Sequence, residues 1–246
     1  MIYPSVKGLF SYIDYTSLNP YDSTSSIQAF IEKALEYHKS DYKVAALCVY
    51  PNFSAQVKEG LKNTGIKTAV VGACFPASQS FKEIKIKECE LAIQNGAEEV
   101  DIVINLGAFF DLKYSLVQNE ITAIKRTLGT RKLKVIIETG ILKETHLIKK
   151  ATELAILGGA DFVKTSTGKV AVGATPKAVR AIAETIHTHL KTTDKRVGIK
   201  ISGGVRTYDD AMNYYSIVND VLGPKSLDAS YFRIGASSLT EQLLNA

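Results

Sequence analysis

Two lysines stand where a lysine is costly. Residues 161–169, DFVKTSTGK, put Lys164 inside an apolar run with the character of a buried strand, and residues 195–204, KRVGIKISGG, do the same with Lys200. An ammonium there must be paired, held at the strand end near solvent, or made neutral for a purpose. A neutral lysine has a definite use, because only the free amine forms a Schiff base with a carbonyl carbon. At a reference pKa near ~10.4, about one side chain in ~2,500 is neutral at pH 7. Burial and a second nearby ammonium both disfavour the charged form, and together bring such a lysine to roughly 7–8. The pair therefore reads as a nucleophile and a perturbing cation, and spacing alone leaves open which is which.

A Schiff-base cycle also has protons to move, at carbinolamine formation, at dehydration and at enamine protonation. Asp101, set in the apolar stretch VDIVIN, is the candidate acid–base group. The competing reading is that Asp101 only pairs with Lys164 or Lys200 in a buried ion pair. Glu138, in IIETG, is the other carboxylate within a strand-like run, poised between salt-bridging a lysine and orienting a loop.

Three further stretches, TGK, SGGVRT and GASSLT, are rich in glycine and hydroxyl residues. Gly203-Gly204 lets a backbone approach an anion closely, Ser237-Ser238 opens the final helical segment SSLTEQLL, and Lys169 adds a positive charge. Each loop alone is ordinary turn chemistry. Together they predict a phosphate site on backbone N–H groups, and phosphate beside a reactive amine points to a sugar-phosphate aldolase.

The elements that must position these residues follow from periodicity. Short apolar runs recur at LFSYIDY, KVAALCVY, KTAVVGACF, EEVDIVINL, KVIIETG, DFVKTST, VGIKIS and YFRIGAS, separated by segments of helical period. Ile27, Phe30, Ile31, Ala34 and Leu35 form one apolar stripe, and Leu147, Ile148, Ala151, Leu154 and Ala155 form another, which the glycines at 158–159 stop. The runs are near-continuously apolar, as in parallel strands covered on both faces. Eight βα units in 246 residues predict a (β/α)8 TIM barrel spanning 1–246 as one domain. No Gly-rich dinucleotide fingerprint follows the first strand to support an open doubly wound sheet. One internal echo ties chemistry to architecture. GAEEVD (96–101) and GADFVK (159–164) both run from a helix-stopping glycine to a charged strand residue, so Asp101 and Lys164 are expected to point into the barrel together.

Composition narrows the function classes. With 46% hydrophobic and 22% charged residues the chain has ordinary globular character. It lacks an 18-residue apolar run and a signal-peptide signature, so no membrane role and a cytoplasmic location are expected. Three cysteines without C-x-x-C spacing and four scattered histidines predict no disulfide framework, no metal and no cofactor. The net charge of +5 comes from interleaved charges, as in KEIKIKECE, which reads as a solvated helix face; no nucleic-acid partner is expected.

On the motifs IDYTSLN (13–19), CVYP (48–51), EVDIVINLGAF (99–109), KVIIETG (134–140), DFVKTSTGKVAVGAT (161–175), GGVRT (203–207) and RIGASSL (233–239), the chain resembles the deoxyribose-phosphate aldolases over nearly its whole length. VKTSTG followed by IK-SGG is the most specific part. The resemblance implies a metal-free Schiff-base aldolase in which Lys164 is the nucleophile, Lys200 its perturber and Asp101 part of the proton relay. It further implies that Asp14, Thr16, Cys48 and Thr167 line the substrate pocket, while Lys169, Gly203, Gly204, Ser237 and Ser238 hold phosphate. The implied reaction is reversible cleavage of 2-deoxy-D-ribose 5-phosphate to acetaldehyde and D-glyceraldehyde 3-phosphate in deoxyribonucleoside catabolism, by a homodimer or larger homo-oligomer. Cys48 also fits plain core packing. The chain departs from the family pattern at Ser78, where relatives carry glycine, at Ile201, where a small residue is usual, and in ending soon after its last helix.

Overall fold

In the computed structural model, which describes residues 4–244, eight parallel strands close into a barrel in sequence order. They are β1 (Ile13–Thr16), β2 (Ala46–Val49), β3 (Lys67–Val71), β4 (Glu99–Val103), β5 (Lys132–Ile136), β6 (Phe162–Lys164), β7 (Gly198–Ser202) and β8 (Phe232–Ala236). Each overlaps one of the eight apolar runs, with β1 running on to Thr16 and β5 starting two residues early at Lys132, so the expected (β/α)8 barrel is the observed fold. The helices are α1 (Val6–Phe10), α2 (Thr24–Lys39), α3 (Ser54–Gly60), α4 (Lys82–Gln94), α5 (Leu106–Phe110), α6 (Tyr114–Leu128), α7 (Thr139–Leu142), α8 (Thr145–Leu157), α9 (Pro176–Thr193), α10 (Tyr208–Leu222) and α11 (Leu239–Leu244). The last begins at Leu239, one residue beyond the expected serine pair.

Local chemistry sets the helix ends. Ser23 and Ser26 cap α2 reciprocally, as do Thr207 and Asp210 at α10, while Thr175 caps α9 ahead of Pro176. Gly158 and Gly159 end α8: a Cβ on Gly158 would meet Ile121 Cγ2 at 2.6 Å, and Gly159 has φ +94°. The stripe on α2 buries Ile27, Ile31 and Ala34, and Phe30 and Leu35 pack at its margin.

The outer faces of the strands and the inner faces of the helices form the main apolar core. The barrel interior is different. Its β2–β3 side is apolar, a cluster of Ala46, Cys48, Ala69 and Val71 with Leu18. Its other side carries charge: Asp14, Glu99, Asp101, Lys134, Lys164, Lys200 and Arg233 are each no more than 5% exposed.

One expectation fails in the helix layer. KEIKIKECE belongs to α4, but it is not wholly solvated, since Lys85 is fully buried and donates to Glu120 of α6 at 2.8 Å. Charge content alone does not separate a wet helix face from one that pairs across a helix–helix seam.

Candidate active site

The carboxyl ends of β6 and β7 hold the two lysines side by side, because Lys164 and Lys200 are register partners. Strand pleating then sends both side chains to the same, inner face. Asp101 reaches them from β4, accepting from Lys164 Nζ and from Lys200 Nζ at 2.8 Å each, both on Oδ2. Two glycines make the room. A Cβ on Gly235 would stand 3.1 Å from Lys200 Cε, and one on Gly198 would meet the Phe162 ring at 2.5 Å.

The lysines differ in their remaining company. Lys200 Nζ also lies 2.5 Å from Asp14 Oδ2, an ion contact. Among the described residues Lys164 has only Asp101 as a carboxylate partner, and it lines a cavity of about 290 Å³ at the barrel mouth. Burial pushes the Lys164 pKa down and the Lys200 ammonium adds to that, outweighing the pull of Asp101. Burial acts on Lys200 in the same direction, but Asp101 and Asp14 reverse it and hold Lys200 above the ordinary lysine value. Burial would raise Asp101, but Lys134, Lys164 and Lys200 hold its carboxyl well below the usual range. The arrangement is thus an amine of lowered pKa facing space, a second amine held charged beside it and an anion shared between them.

The loops above are pinned to one another. Thr165 Oγ1 donates to Ser202 O and accepts from Ser202 N, each at 3.0 Å, and Ser202 Oγ donates to Ser166 O at 2.6 Å. Glu138, at φ +53°, accepts from Thr167 N at 3.1 Å and from Thr167 Oγ1 at 2.5 Å. Of its two expected roles Glu138 therefore takes loop orientation and pairs with no lysine among the described residues. Lys169 Nζ donates to Leu18 O at 2.5 Å, tying the β6 loop to the β1 loop across the mouth.

Thr16, Thr167, Lys169, Gly203, Gly204, Ser237 and Ser238 all line the same cavity as Lys164. Gly203 and Gly204 have φ of +83° and +92°, a region that favours glycine, and a Cβ on Gly203 would meet Gly173 Cα at 2.9 Å. The Thr16 hydroxyl is turned to its own strand, donating to Asp14 O at 2.8 Å. Asp14 and Cys48 are fully buried and stand outside the cavity lining. Asp14 joins the charged cluster from below, and Cys48 belongs to the apolar β2–β3 side, where burial pushes its thiol upward.

Three members of the cluster escaped sequence reasoning. Lys134 Nζ lies 2.6 Å from Glu99, 3.0 Å from Asp101 and 3.2 Å from Asp14. Arg233 grips Glu99 with two nitrogens at 3.0 and 3.2 Å and reaches Asp14 at 2.5 Å. A signal for them existed: Glu99 stands two residues before Asp101 on one strand and so shares its face. Asn19 and Arg206 also line the cavity and were not singled out.

The two departures resolve differently. Ile201 alternates with Lys200 and Ser202, so it faces the helices and belongs to the outer core rather than the pocket. Ser78 is buried with φ +55°, which explains why glycine suits that position and marks local strain of roughly 1–2 kcal/mol here.

Comparison with known proteins identifies the family and agrees with the barrel fold. A family model described as DeoC/LacD family aldolase matches residues 9–239. A Caenorhabditis elegans protein provisionally named a deoxyribose-phosphate aldolase is 37% identical over 244 residues, covering 97% of this chain and 80% of that protein. Among solved structures, an aldolase called QR15 superposes with a TM-score of 0.78 at 33% identity, covering 96% of each chain. The deoxyribose phosphate aldolase of Aeropyrum pernix, described as a unique tetrameric structure, gives a TM-score of 0.78 at 26% identity, over 98% of this chain and 92% of that one. This chain is an enzyme of the DeoC/LacD aldolase family.

Proposed function

We propose that this aldolase cleaves 2-deoxy-D-ribose 5-phosphate reversibly into acetaldehyde and D-glyceraldehyde 3-phosphate through a Schiff base on Lys164. The observation that carries the reading is the unequal pairing of two lysines on one carboxylate oxygen, with the less paired amine facing the cavity. The neutral Lys164 amine adds to the C1 aldehyde, and the carbinolamine loses water to give an iminium ion. Loss of the C3 hydroxyl proton breaks the C2–C3 bond, and its electron pair moves to the iminium nitrogen as D-glyceraldehyde 3-phosphate departs. The enamine takes a proton at C2, and water then releases acetaldehyde and the free amine. Asp101, accepting from both amines on one oxygen, is the group placed to relay protons at Lys164, with Lys200 as the neighbouring cation.

The positive-φ Gly203-Gly204 turn, Lys169, Ser237 and Ser238 line the same cavity as the Lys164 amine and support a phosphate position at its rim. The same reading gives a single barrel domain with a role in deoxyribonucleoside breakdown, located in the cytoplasm. The tetrameric Aeropyrum relative supports a homo-oligomer. No described helix is long and apolar enough to cross a membrane.

The test is intact mass after incubation with 2-deoxyribose 5-phosphate and borohydride, with peptide mapping of any adduct. One reduced two-carbon or five-carbon adduct on Lys164 is expected, with acetaldehyde as the released product. An adduct on Lys200, or none in folded protein, overturns the mechanism.

A further inference from the structure

The cavity-facing amine belongs to a stack of buried charges, of which Lys134, Asp14, Glu99 and Arg233 take no part in the proposed reaction. Four cations (Lys134, Lys164, Lys200, Arg233) and three carboxylates (Asp14, Glu99, Asp101) occupy one interior, none more than 5% exposed. The contacts are unequal. Lys134 touches three carboxylates at 2.6–3.2 Å, Lys200 two at 2.5 and 2.8 Å, and Arg233 two at 2.5–3.2 Å. Lys164 touches one, at 2.8 Å.

A low-dielectric interior holds uncompensated charge only at high cost. With all seven groups ionised the surplus is one positive charge, and losing one proton removes it. Arginine does not release a proton under such conditions. Of the three lysines, the one with the fewest carboxylates gives it up at least expense, and that is Lys164. The balance, more than any single neighbour, selects the nucleophile.

We propose that Arg233 and Glu99, one layer below the reacting amine and out of reach of substrate, are positioning residues that set the protonation of Lys164 through the charge balance of the barrel interior. The proposal rests on Lys164 being the Schiff-base lysine. Lys164 is faced by Asp101 from β4, Lys200 from β7 and the neutral Cys48 thiol from β2. Arg233 and Glu99 are faced by Asp14 from β1 and Lys134 from β5, with the Phe162 ring of β6 5.7 Å from the guanidinium. At the amino ends of the strands they border a second cavity with Lys67, Glu98, Arg131 and Lys132, of which Lys67 and Lys132 are engaged with Glu98 and Asp161. Those outer charges are screened by solvent, whereas the inner ones are not.

Removing the Arg233 charge leaves three carboxylates for three lysines, so Lys164 regains its proton. Removing the Glu99 charge leaves a surplus of two and drives Lys164 further toward the neutral form. The two changes therefore act with opposite sign, which a merely structural role would not produce.

The experiment is the pH dependence of acetaldehyde trapping on Lys164 by cyanoborohydride, followed by intact mass, which needs no phosphorylated substrate. The reagent's own pH dependence is common to all variants and cancels in the comparison. Arg233→Met is expected to move the acid limb up by about one pH unit and Glu99→Gln to move it down by a similar amount. The double variant should return it near the wild-type position. If Arg233→Met does not fold, charge-conserving Arg233→Lys (expected to keep the wild-type limb) and isosteric Glu99→Gln carry the test. No trapping on Lys164 in the wild type would sink the Schiff-base assignment itself. Trapping there, with the limb unmoved in Glu99→Gln, overturns only the charge-balance proposal.

Discussion

Lys164 and Lys200 are register partners on neighbouring strands, and their Nζ atoms lie at the same distance, 2.8 Å, from one oxygen of Asp101. What distinguishes them is Asp14, which contacts Lys200 alone of the two. That asymmetry supports Lys164 as the proposed nucleophile, because a second carboxylate helps hold a proton on Lys200 while Lys164 is left to burial and a neighbouring cation.

Lys164→Leu should end covalent trapping and lower turnover by on the order of 10³-fold or more. Its stability effect has a definite sign. The Lys164 pKa is lower folded than unfolded, so the unfolded chain binds the extra proton, and folding is penalised below the free-lysine value near ~10.4. Leucine removes that penalty. Thermal unfolding at pH 7 should show a Tm no lower than the wild type; a clear drop would mean the amine is charged and holding Asp101.

Lys200→Leu should slow the reaction about tenfold or more and shift the acid limb of kcat/KM to higher pH. The ammonium that disfavours a proton on Lys164 is gone, so the free amine appears only at more alkaline pH. A pH–rate profile with an unmoved acid limb would mean that Lys200 is not the perturber.

Acid should destabilise the fold through the same cluster. Burial pushes Asp14 and Asp101 upward, but Lys134 and Lys200, with Arg233 for Asp14 and Lys164 for Asp101, win and hold both carboxyls low. Such groups contribute stability that is fully present above the free value near ~3.9 and is lost as pH falls through the folded values. Urea unfolding should therefore show a steep loss below about pH 4. Asp101→Asn should cost about 3–5 kcal/mol at neutral pH and flatten that slope.

Glu138→Ala should loosen the loop that carries Thr167 and Lys169, because it removes the acceptor for both the Thr167 N–H and hydroxyl. A cost of about 1–3 kcal/mol and a raised KM for phosphorylated substrate are expected. Acetaldehyde trapping on Lys164 should be nearly unchanged, and Glu138→Gln should restore part of the loss. Steady-state kinetics beside trapping rates would separate the two effects.

Gly235→Ala should disturb the amine pair without altering any charge. Its Cβ would crowd Lys200 Cε at 3.1 Å and Ser202 Cβ at 3.0 Å, so one of them must give by a few tenths of an ångström. A roughly tenfold fall in kcat with little change in KM is expected, since small misplacements of catalytic groups are expensive. Equal kinetics for the two proteins would show that the lysine accommodates the methyl group freely.

The sequence by itself determined the eight strands, the stop of α8 at its glycine pair and the meeting of Asp101, Lys164 and Lys200. These are short-range matters: strand period, helix period and turn residues act within a few positions, and the two helix-stop glycines put Asp101 and Lys164 at equal distance into their strands. The inner role of Glu99, Lys134 and Arg233 was decided only by the tertiary structure. A charged residue near the start of a strand looks alike whether it points to solvent or inward, and a shift of one residue exchanges those faces. The partnership of Glu99 with Arg233, 134 positions apart, exists only once the barrel has closed and set its stagger. The same holds for Lys85 and Glu120, a pair invisible until α4 packs on α6. Asp14, too, lies in the chain far from both lysines, and closure of β1 on β8 brings it beneath Lys200, giving that lysine a carboxylate contact that Lys164 lacks among the described residues.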